Sequence, residues 1–93
     1  MSVGDGVEVG HVEHVPHRLT LLTKPGCHLC DDARTALRGL AVEFGVVMEE
    51  RDITADPVDY RRWADWIPVT LLDGEEYAVF AVDEERLRRA LEG

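Results

Sequence analysis

Hydrophobic residues follow first a strand-like and then a helix-like spacing over the first half of the chain. A short apolar run at Leu19, Leu21 and Leu22 ends at the turn sequence Lys24-Pro25-Gly26, which is typical of a buried strand stopped by turn residues. The spacing then changes to three and four residues, which predicts an amphipathic helix. The apolar residues of this helix are Ala33, Ala36, Leu37, Leu40 and Phe44.

The predicted helix begins near Cys27 and ends at Gly45, a plausible C-terminal cap. The segment from Val46 to Ile53 alternates loosely between apolar and polar residues, which predicts a second strand. Val47, Glu49, Arg51 and Ile53 would share one of its faces. A strand, a helix and a second strand in this order indicate a right-handed βαβ unit.

The second half of the chain predicts a helix, a hairpin and a final helix. Asp56-Pro57 is typical of a helix start, and the helix is expected to end at Pro68. Tyr60, Trp63, Ala64 and Ile67 would fall on one face of this helix. The runs Val69–Leu72 and Tyr77–Phe80, on either side of Asp73-Gly74, predict two antiparallel strands. Asp83 is expected to cap a last helix with Leu87, Ala90 and Leu91 on its apolar side.

Residues 1–17 have a different pattern from the rest and are expected to form a tail. Glycines and histidines (His11, His14 and His17) precede any convincing core segment. The alternation at Val7 and Val9 would allow at most a short edge strand. We therefore expect a tail over residues 1–17 and one folded domain over residues 18–93, in the element order β-α-β-α-β-β-α.

Composition narrows the class of protein. A chain of 93 residues supports a single small domain, and 45% hydrophobic with 31% charged residues is typical of a globular protein. The net charge of -9 argues against nucleic acid as a partner, because phosphate binding needs clustered Lys and Arg. The N-terminus lacks a basic start and an apolar core, and no apolar run is long enough for a membrane span. We therefore expect a cytoplasmic protein without membrane partners.

The candidate chemistry lies at Cys27 and Cys30, the only two cysteines of the chain. Residues three apart lie on one face of a helix, so the two sulfurs can meet and form a disulfide. A Cys-x-x-Cys pair near a βαβ unit favours redox chemistry, whereas a zinc site normally needs four ligands. The pair is therefore predicted to be a redox-active dithiol.

The element order, with the cysteine pair between the first strand and the first helix, resembles the thioredoxin fold in its compact glutaredoxin form. The resemblance covers Arg18 to Leu91 and is carried by Thr23-Lys24-Pro25-Gly26-Cys27, by Ile67-Pro68-Val69 at the family's cis-proline, and by Asp83. It implies an α/β thioredoxin-like fold with a four-stranded mixed sheet and helices on both faces. The nearest match is a glutaredoxin-like subfamily of small bacterial proteins.

Two departures from the family pattern concern the substrate. Glutaredoxins usually carry paired glycines before the last helix, where this chain has Phe80-Ala81, and a proline and an aromatic residue between the cysteines, where it has His28-Leu29. The resemblance therefore does not extend to glutathione binding, and no bound cofactor is expected. Glutathione or another thiol remains a candidate reductant.

The resemblance also suggests roles for individual residues. Cys27, nearer the helix start, is the expected nucleophile, and Cys30 is the expected resolving thiol. Lys24 and His28 would tune the dithiol or contact substrate. Pro68, if cis, would turn the backbone of Ile67 toward the dithiol as a substrate platform. The main role expected for Asp83 is to cap a helix, and its secondary role is to contact a ligand's amino group.

The sequence thus predicts a thiol-disulfide oxidoreductase that acts on a protein disulfide or a low-molecular-weight thiol and is recharged by a reductase or a thiol reductant. Two alternatives stay open. One is a module that binds zinc or an iron-sulfur cluster, with His28 or the tail histidines as further ligands. The other is a redox-silent interaction domain with the same fold. No metal ligand is predicted for the dithiol site itself.

Overall fold

Four strands form one mixed sheet in residues 17–92, the part of the chain that the computed structural model describes. The strands are β1 (Arg18–Thr23), β2 (Val47–Asp52), β3 (Val69–Leu72) and β4 (Glu75–Val79). The helices are α1 (His28–Phe44), α2 (Pro57–Trp63) and α3 (Glu84–Glu92), with a short 3-10 helix at Ile53–Ala55.

The sheet has the strand order β2-β1-β3-β4. Strand β1 pairs with β2 in parallel, from Arg18 opposite Val47 to Thr23 opposite Asp52, and α1 forms the crossover between them. Strand β3 is antiparallel to both β1 and β4. The predicted βαβ unit, the hairpin and the order of the elements are therefore confirmed.

The core consists of two apolar clusters, one on each face of the sheet. Helices α1 and α3 cover one face, and this cluster contains Leu19, Leu21, Ala33, Leu37, Leu40, Leu87 and Leu91. The second cluster contains Leu22, Cys30, Ile53, Trp63, Ile67, Val69 and Leu71. Successive residues of β1 point to opposite faces, so Leu21 and Leu22 enter different clusters. This is the predicted α/β architecture with helices on both faces.

The second strand ends one residue earlier than predicted. Strand β2 stops at Asp52, and Ile53, expected on the strand, opens the 3-10 helix and is fully buried. The Asp52 carboxylate accepts the backbone N–H of Thr54 at 2.8 Å and its hydroxyl at 2.6 Å. This cap turns the chain and places Ile53 in the second cluster instead of on the face of an edge strand.

The prediction that the second helix reaches Pro68 was wrong, because α2 ends at Trp63. Its start is as predicted, since Asp56 accepts the backbone N–H of Val58 and Pro57 is the first helical residue. After Trp63 the chain tightens, since the Trp66 N–H donates to the Trp63 carbonyl at 2.8 Å, and Pro68 disfavours helical backbone at Ile67. Of the residues expected on one helical face, Trp63 and Ile67 are buried, whereas Tyr60 is 48% exposed.

The hairpin between β3 and β4 closes with the predicted two-residue turn. Both Asp73 and Gly74 have positive φ, at 55° and 87°, which matches the twist of the two strands. Strand β4 begins at Glu75 and ends at Val79, so Phe80 lies beyond it instead of within it.

The Asp73 carboxylate ties this turn to the beginning of β1. It contacts His17 Nδ1 at 2.6 Å and accepts the backbone N–H of Arg18 at 2.8 Å. His17 is the last residue of the predicted tail. The other tail residues, including His11, His14 and the possible edge strand at Val7 and Val9, lie outside the described residues, as does Gly93.

No helix within residues 17–92 is long and apolar enough to cross a membrane.

The Asp73 contacts generate a prediction for stability against pH. The hydrogen bond from His17, followed by that from Arg18, holds the pKa of Asp73 below its usual range. A carboxyl group with a lowered folded-state pKa stabilises the fold above its unfolded pKa, and this contribution is lost as pH falls through the folded pKa. Asp73→Asn should therefore lower the free energy of unfolding by about 1 kcal/mol or less at pH 6, since the pair is half exposed.

Urea unfolding of both proteins between pH 6 and pH 2 measures this effect. The difference between wild type and Asp73→Asn should shrink toward acid pH. Asp65→Asn is the control, since Asp65 makes no ion pair or side-chain hydrogen bond within the described residues. A difference that stays constant down to pH 2 would contradict the assignment.

Candidate active site

Helix α1 begins directly after Cys27, and the cysteine itself is the N-cap. Cys27 has extended backbone (φ -95°, ψ 110°), and its Sγ accepts the backbone N–H of Cys30 at 3.2 Å. An N-cap side chain commonly accepts such an unpaired N–H in the first turn of a helix, usually through oxygen. The sulfur therefore lies where backbone N–H groups and the helix dipole favour negative charge.

The two thiols lie in different surroundings, although only two residues separate them. Both are free; Cys27 is half-buried and Cys30 is 1% exposed. Burial, followed by the hydrogen bond with Cys27, raises the pKa of Cys30 to about 11. A backbone hydrogen bond from Lys24 and the charge of Arg34 act in the opposite direction and are outweighed. Cys30 is thus held as the neutral thiol at neutral pH.

Cys27 opens onto a surface pocket of about 320 Å³ at the end of β1. The residues around it come from the turn after β1, from α1 and from the end of β2. They are Thr23, Lys24, Pro25, Gly26, Cys27, His28, Asp31, Arg34 and Asp52. The structure therefore brings three of the predicted site residues, Lys24, Cys27 and His28, to one pocket.

Charged residues that the sequence reasoning missed also line this pocket. Arg34 binds Asp31 at 2.6 Å and Glu50 at 2.8 Å, and these carboxylates, Glu50 first, raise the pKa of its guanidinium further. The spacing of three residues between Asp31 and Arg34 is a helix-pair signal that was available in the sequence. The ion pair between Arg34 and Glu50 depends on the pairing of β2 in the sheet, so no signal for it was available in the sequence.

Ile67 lies in the same part of the core as the dithiol, and the next residue, Pro68, is fully buried. Ile67 belongs to the apolar cluster that contains Cys30, and Cys27 packs against that cluster. The peptide bond between Ile67 and Pro68 is cis. The carbonyl of Pro68 accepts the backbone N–H of Phe80 at 2.6 Å, which connects this loop to the end of β4.

Asp83 lies apart from the Cys27 pocket. Its Oδ1 accepts the backbone N–H of Arg86 at 3.1 Å, so the predicted cap of the last helix is confirmed. Asp83 is exposed and is not among the residues that line the pocket.

Within residues 17–92 no group of three His, Cys, Asp or Glu side chains is arranged to hold a metal ion. The tail histidines that the metal hypothesis invoked, His11 and His14, fall outside this range.

Solved structures of other proteins share this fold. A solution structure of protein Ne2328 from Nitrosomonas europaea is similar, with a TM-score of 0.72 and 24% identity over 82% of this chain and 92% of that one. A thioredoxin mutant from Halobacterium salinarum gives a TM-score of 0.59 and 18% identity over 94% of this chain and 82% of that one. The chain therefore has the thioredoxin fold.

The family follows from the sequence comparisons. The model of the glutaredoxin-like domain (DUF836) matches residues 18–92. Uncharacterized protein Rv0508 of Mycobacterium tuberculosis is 37% identical over 76 residues, which cover 76% of this chain and 78% of that protein. The chain thus belongs to the glutaredoxin-like domain family.

The unequal surroundings of the thiols predict unequal alkylation. In the reduced native protein, iodoacetamide at pH 7.5 should modify Cys27 at least about tenfold faster than Cys30, because Cys27 opens onto a pocket whereas Cys30 is buried and its pKa is raised to about 11, which leaves little thiolate. Peptide mass mapping of quenched samples measures both rates. In guanidinium chloride the two rates should converge, and equal rates in the native protein would contradict the assignment.

Proposed function

We propose that the protein is a thiol-disulfide oxidoreductase in which Cys27 attacks the substrate and Cys30 resolves the mixed disulfide. The observation that supports this most directly is the bond from the Cys30 N–H to Cys27 Sγ, with Cys27 open to a pocket and Cys30 buried behind it. One sulfur can meet a substrate, and the other can reach only the first.

In the first step, the Cys27 thiolate attacks one sulfur of a substrate disulfide R–S–S–R′. A bond forms between Cys27 and the R sulfur, the substrate S–S bond breaks, and R′ leaves as a thiolate that takes up a proton. The first-turn N–H of Cys30, which donates to Cys27 Sγ, stabilises charge on the attacking sulfur.

In the second step, Cys30 attacks Cys27 Sγ, releases R as a thiol and forms the Cys27–Cys30 disulfide. Two electrons pass from the dithiol to the substrate, and the two protons of the dithiol end on the two released thiols. Cys30 enters this step as the protonated thiol, since burial and the hydrogen bond with Cys27 raise its pKa, and its proton passes to the R sulfur as that sulfur leaves. Because Cys30 is buried behind Cys27, it does not meet a second substrate.

The remaining predicted residues contribute to substrate binding in this proposal. Lys24 and His28 contact the substrate from the rim of the Cys27 pocket. Strand β3 is paired with its neighbours from Val69 onward, so the backbone of Ile67 lies before the paired strand. In this proposal that backbone forms hydrogen bonds with an extended substrate beside Pro68. Asp83 caps α3 through Oδ1, which leaves Oδ2 for an amino group of a ligand.

The Cys27–Cys30 disulfide of the oxidised protein must then be reduced by a reductase or by a low-molecular-weight thiol, of which glutathione is one candidate. We assign the reaction to a reducing compartment, the cytoplasm, where such thiols keep cysteines free. The substrate is the disulfide of a protein or of a small thiol.

Cysteine variants test the proposal with the uncharged substrate bis(2-hydroxyethyl) disulfide. Reduced wild-type protein should lose two thiols and release two equivalents of 2-mercaptoethanol, counted by mass spectrometry with the metal content of the same sample. Cys27→Ser should lower the rate by at least about a hundredfold, since no accessible nucleophile remains. Cys30→Ser should stop at a mixed disulfide on Cys27 that adds the mass of one mercaptoethanol group.

The control is Thr35→Ser, a hydroxyl variant on the exposed side of α1 that should keep wild-type activity. Full activity of Cys27→Ser would overturn the proposal. Stoichiometric zinc that protects both thiols would also overturn it and favour the metal-binding alternative. Recharging with glutathione, compared with dithiothreitol, shows whether glutathione is an effective reductant.

A further inference from the structure

A second depression lies beside the dithiol, on the opposite side of α1 from the Cys27 pocket. Its volume is about 210 Å³. We call it the acidic groove, and its residues are Leu29, Asp32, Ala33, Ala36, Phe80, Ala81, Val82 and Glu84. Its α1 residues follow the spacing of one helical face, which starts at Leu29, two residues after Cys27.

Phe80 forms one wall of the acidic groove in a costly backbone conformation. Its φ is 68°, in the left-handed region that bulky side chains rarely adopt. The ring is 44% exposed and contacts Trp66, itself 48% exposed, with 5.9 Å between the ring centroids. Burial in the core therefore does not account for an aromatic residue here, and strain of this kind is typical of functional positions.

The charges of the acidic groove have one sign. Asp32 and Glu84 are its charged residues, and within residues 17–92 neither lies within ion-pair distance of a basic side chain, although Arg88 is near enough to attract Glu84. The floor between them is formed by small and aliphatic side chains such as Ala33 and Ala36. An apolar floor with carboxylates at its edge suits a side chain that has a hydrocarbon stem and a cationic head.

We propose that the acidic groove binds a lysine or arginine side chain of a protein substrate, close to the substrate's reacting cysteine. The methylene stem lies on Leu29 and Ala36, and the cationic head reaches Asp32 or Glu84, with the Phe80 ring beside it. This inference rests on the proposed function, and it names the substrate class as protein disulfides with basic flanking residues.

The size of the groove limits the position of the basic residue. From Leu29 to Ala36 the helix rises about 10 Å, at roughly 1.5 Å per residue. An extended chain covers this distance in about three residues. The lysine or arginine is therefore expected within about three positions of the substrate cysteine.

Matched peptides test the inference. Each decapeptide carries one cysteine as a mixed disulfide with 2-mercaptoethanol, and the positions three residues to either side hold lysine, alanine or glutamate. With reduced wild-type protein, the lysine peptide should react at least about fivefold faster than the glutamate peptide in 50 mM salt. Because the contact is electrostatic, this ratio should fall in 0.5 M salt, where charges are screened over about 4 Å.

A charge-matched control distinguishes the effect of the groove's carboxylates from the effect of the protein's overall charge. Asp32→Asn/Glu84→Gln should reduce the ratio to less than about twofold, while Glu75→Gln/Glu92→Gln, which removes the same charge elsewhere, should keep it. Equal ratios in the two double variants would overturn the inference. Both should reduce bis(2-hydroxyethyl) disulfide like wild type, so loss of the proposed function would appear separately as loss of that activity.

Two variants at Phe80 test the role of the ring. Phe80→Ala and Phe80→Gly both remove the ring, and glycine also relieves the left-handed backbone, so Phe80→Gly should unfold at the same temperature as Phe80→Ala or higher. Both should slow the lysine peptide by at least about threefold without slowing bis(2-hydroxyethyl) disulfide. Val42→Ala, at an exposed valine of α1 far from Cys27, is the control. Unchanged rates with the lysine peptide in both Phe80 variants would contradict the assigned wall.

Discussion

The bond from the Cys30 N–H to Cys27 Sγ fixes where helix α1 begins, and the rest of the site depends on that start. The turn at Pro25 and Gly26 ends β1, and Gly26 adopts the positive φ of 78° that a side chain would disfavour. The sulfur then satisfies one of the helix's unpaired N–H groups. Because α1 is also packed against the sheet through its buried leucines, the Cys27 sulfur has a defined position relative to the sheet.

Because α1 begins directly after Cys27, the two cysteines lie in different surroundings. An N-cap residue lies outside the helix, whereas a residue three positions later lies in its first turn and, in this fold, faces the second apolar cluster. Trp63 and Ile53 close that cluster over Cys30, although they come from segments far along the chain. Burial therefore acts on Cys30 and helix-end electrostatics on Cys27, and this difference is what the proposed division into nucleophile and resolving thiol rests on.

The sequence was sufficient for the features that depend on periodicity or on a local cap, such as α1, the Asp73-Gly74 turn and the Asp83 cap. It failed where a tertiary contact competes with periodicity: Ile53 continues the alternation of a strand but is taken into the core by the Asp52 cap. Arg34 was not predicted as a pocket residue, because its partner Glu50 lies on another element. The left-handed backbone of Phe80 could not be predicted, since residue type favours that conformation mainly for glycine and asparagine.

The distribution of charge around Cys27 matters more for recognition than the net charge of -9. On one side of α1 the residues that line the Cys27 pocket carry both signs, and Arg34 among them is paired with Asp31 and Glu50. On the other side, the acidic groove contains carboxylates alone. At physiological ionic strength charges are screened over about 8 Å, so carboxylates on remote elements have little effect on a substrate held at Cys27. The two sides of α1 therefore present different charges, and a cation bound in the acidic groove would meet Asp32 and Glu84 with no basic side chain among the groove's residues.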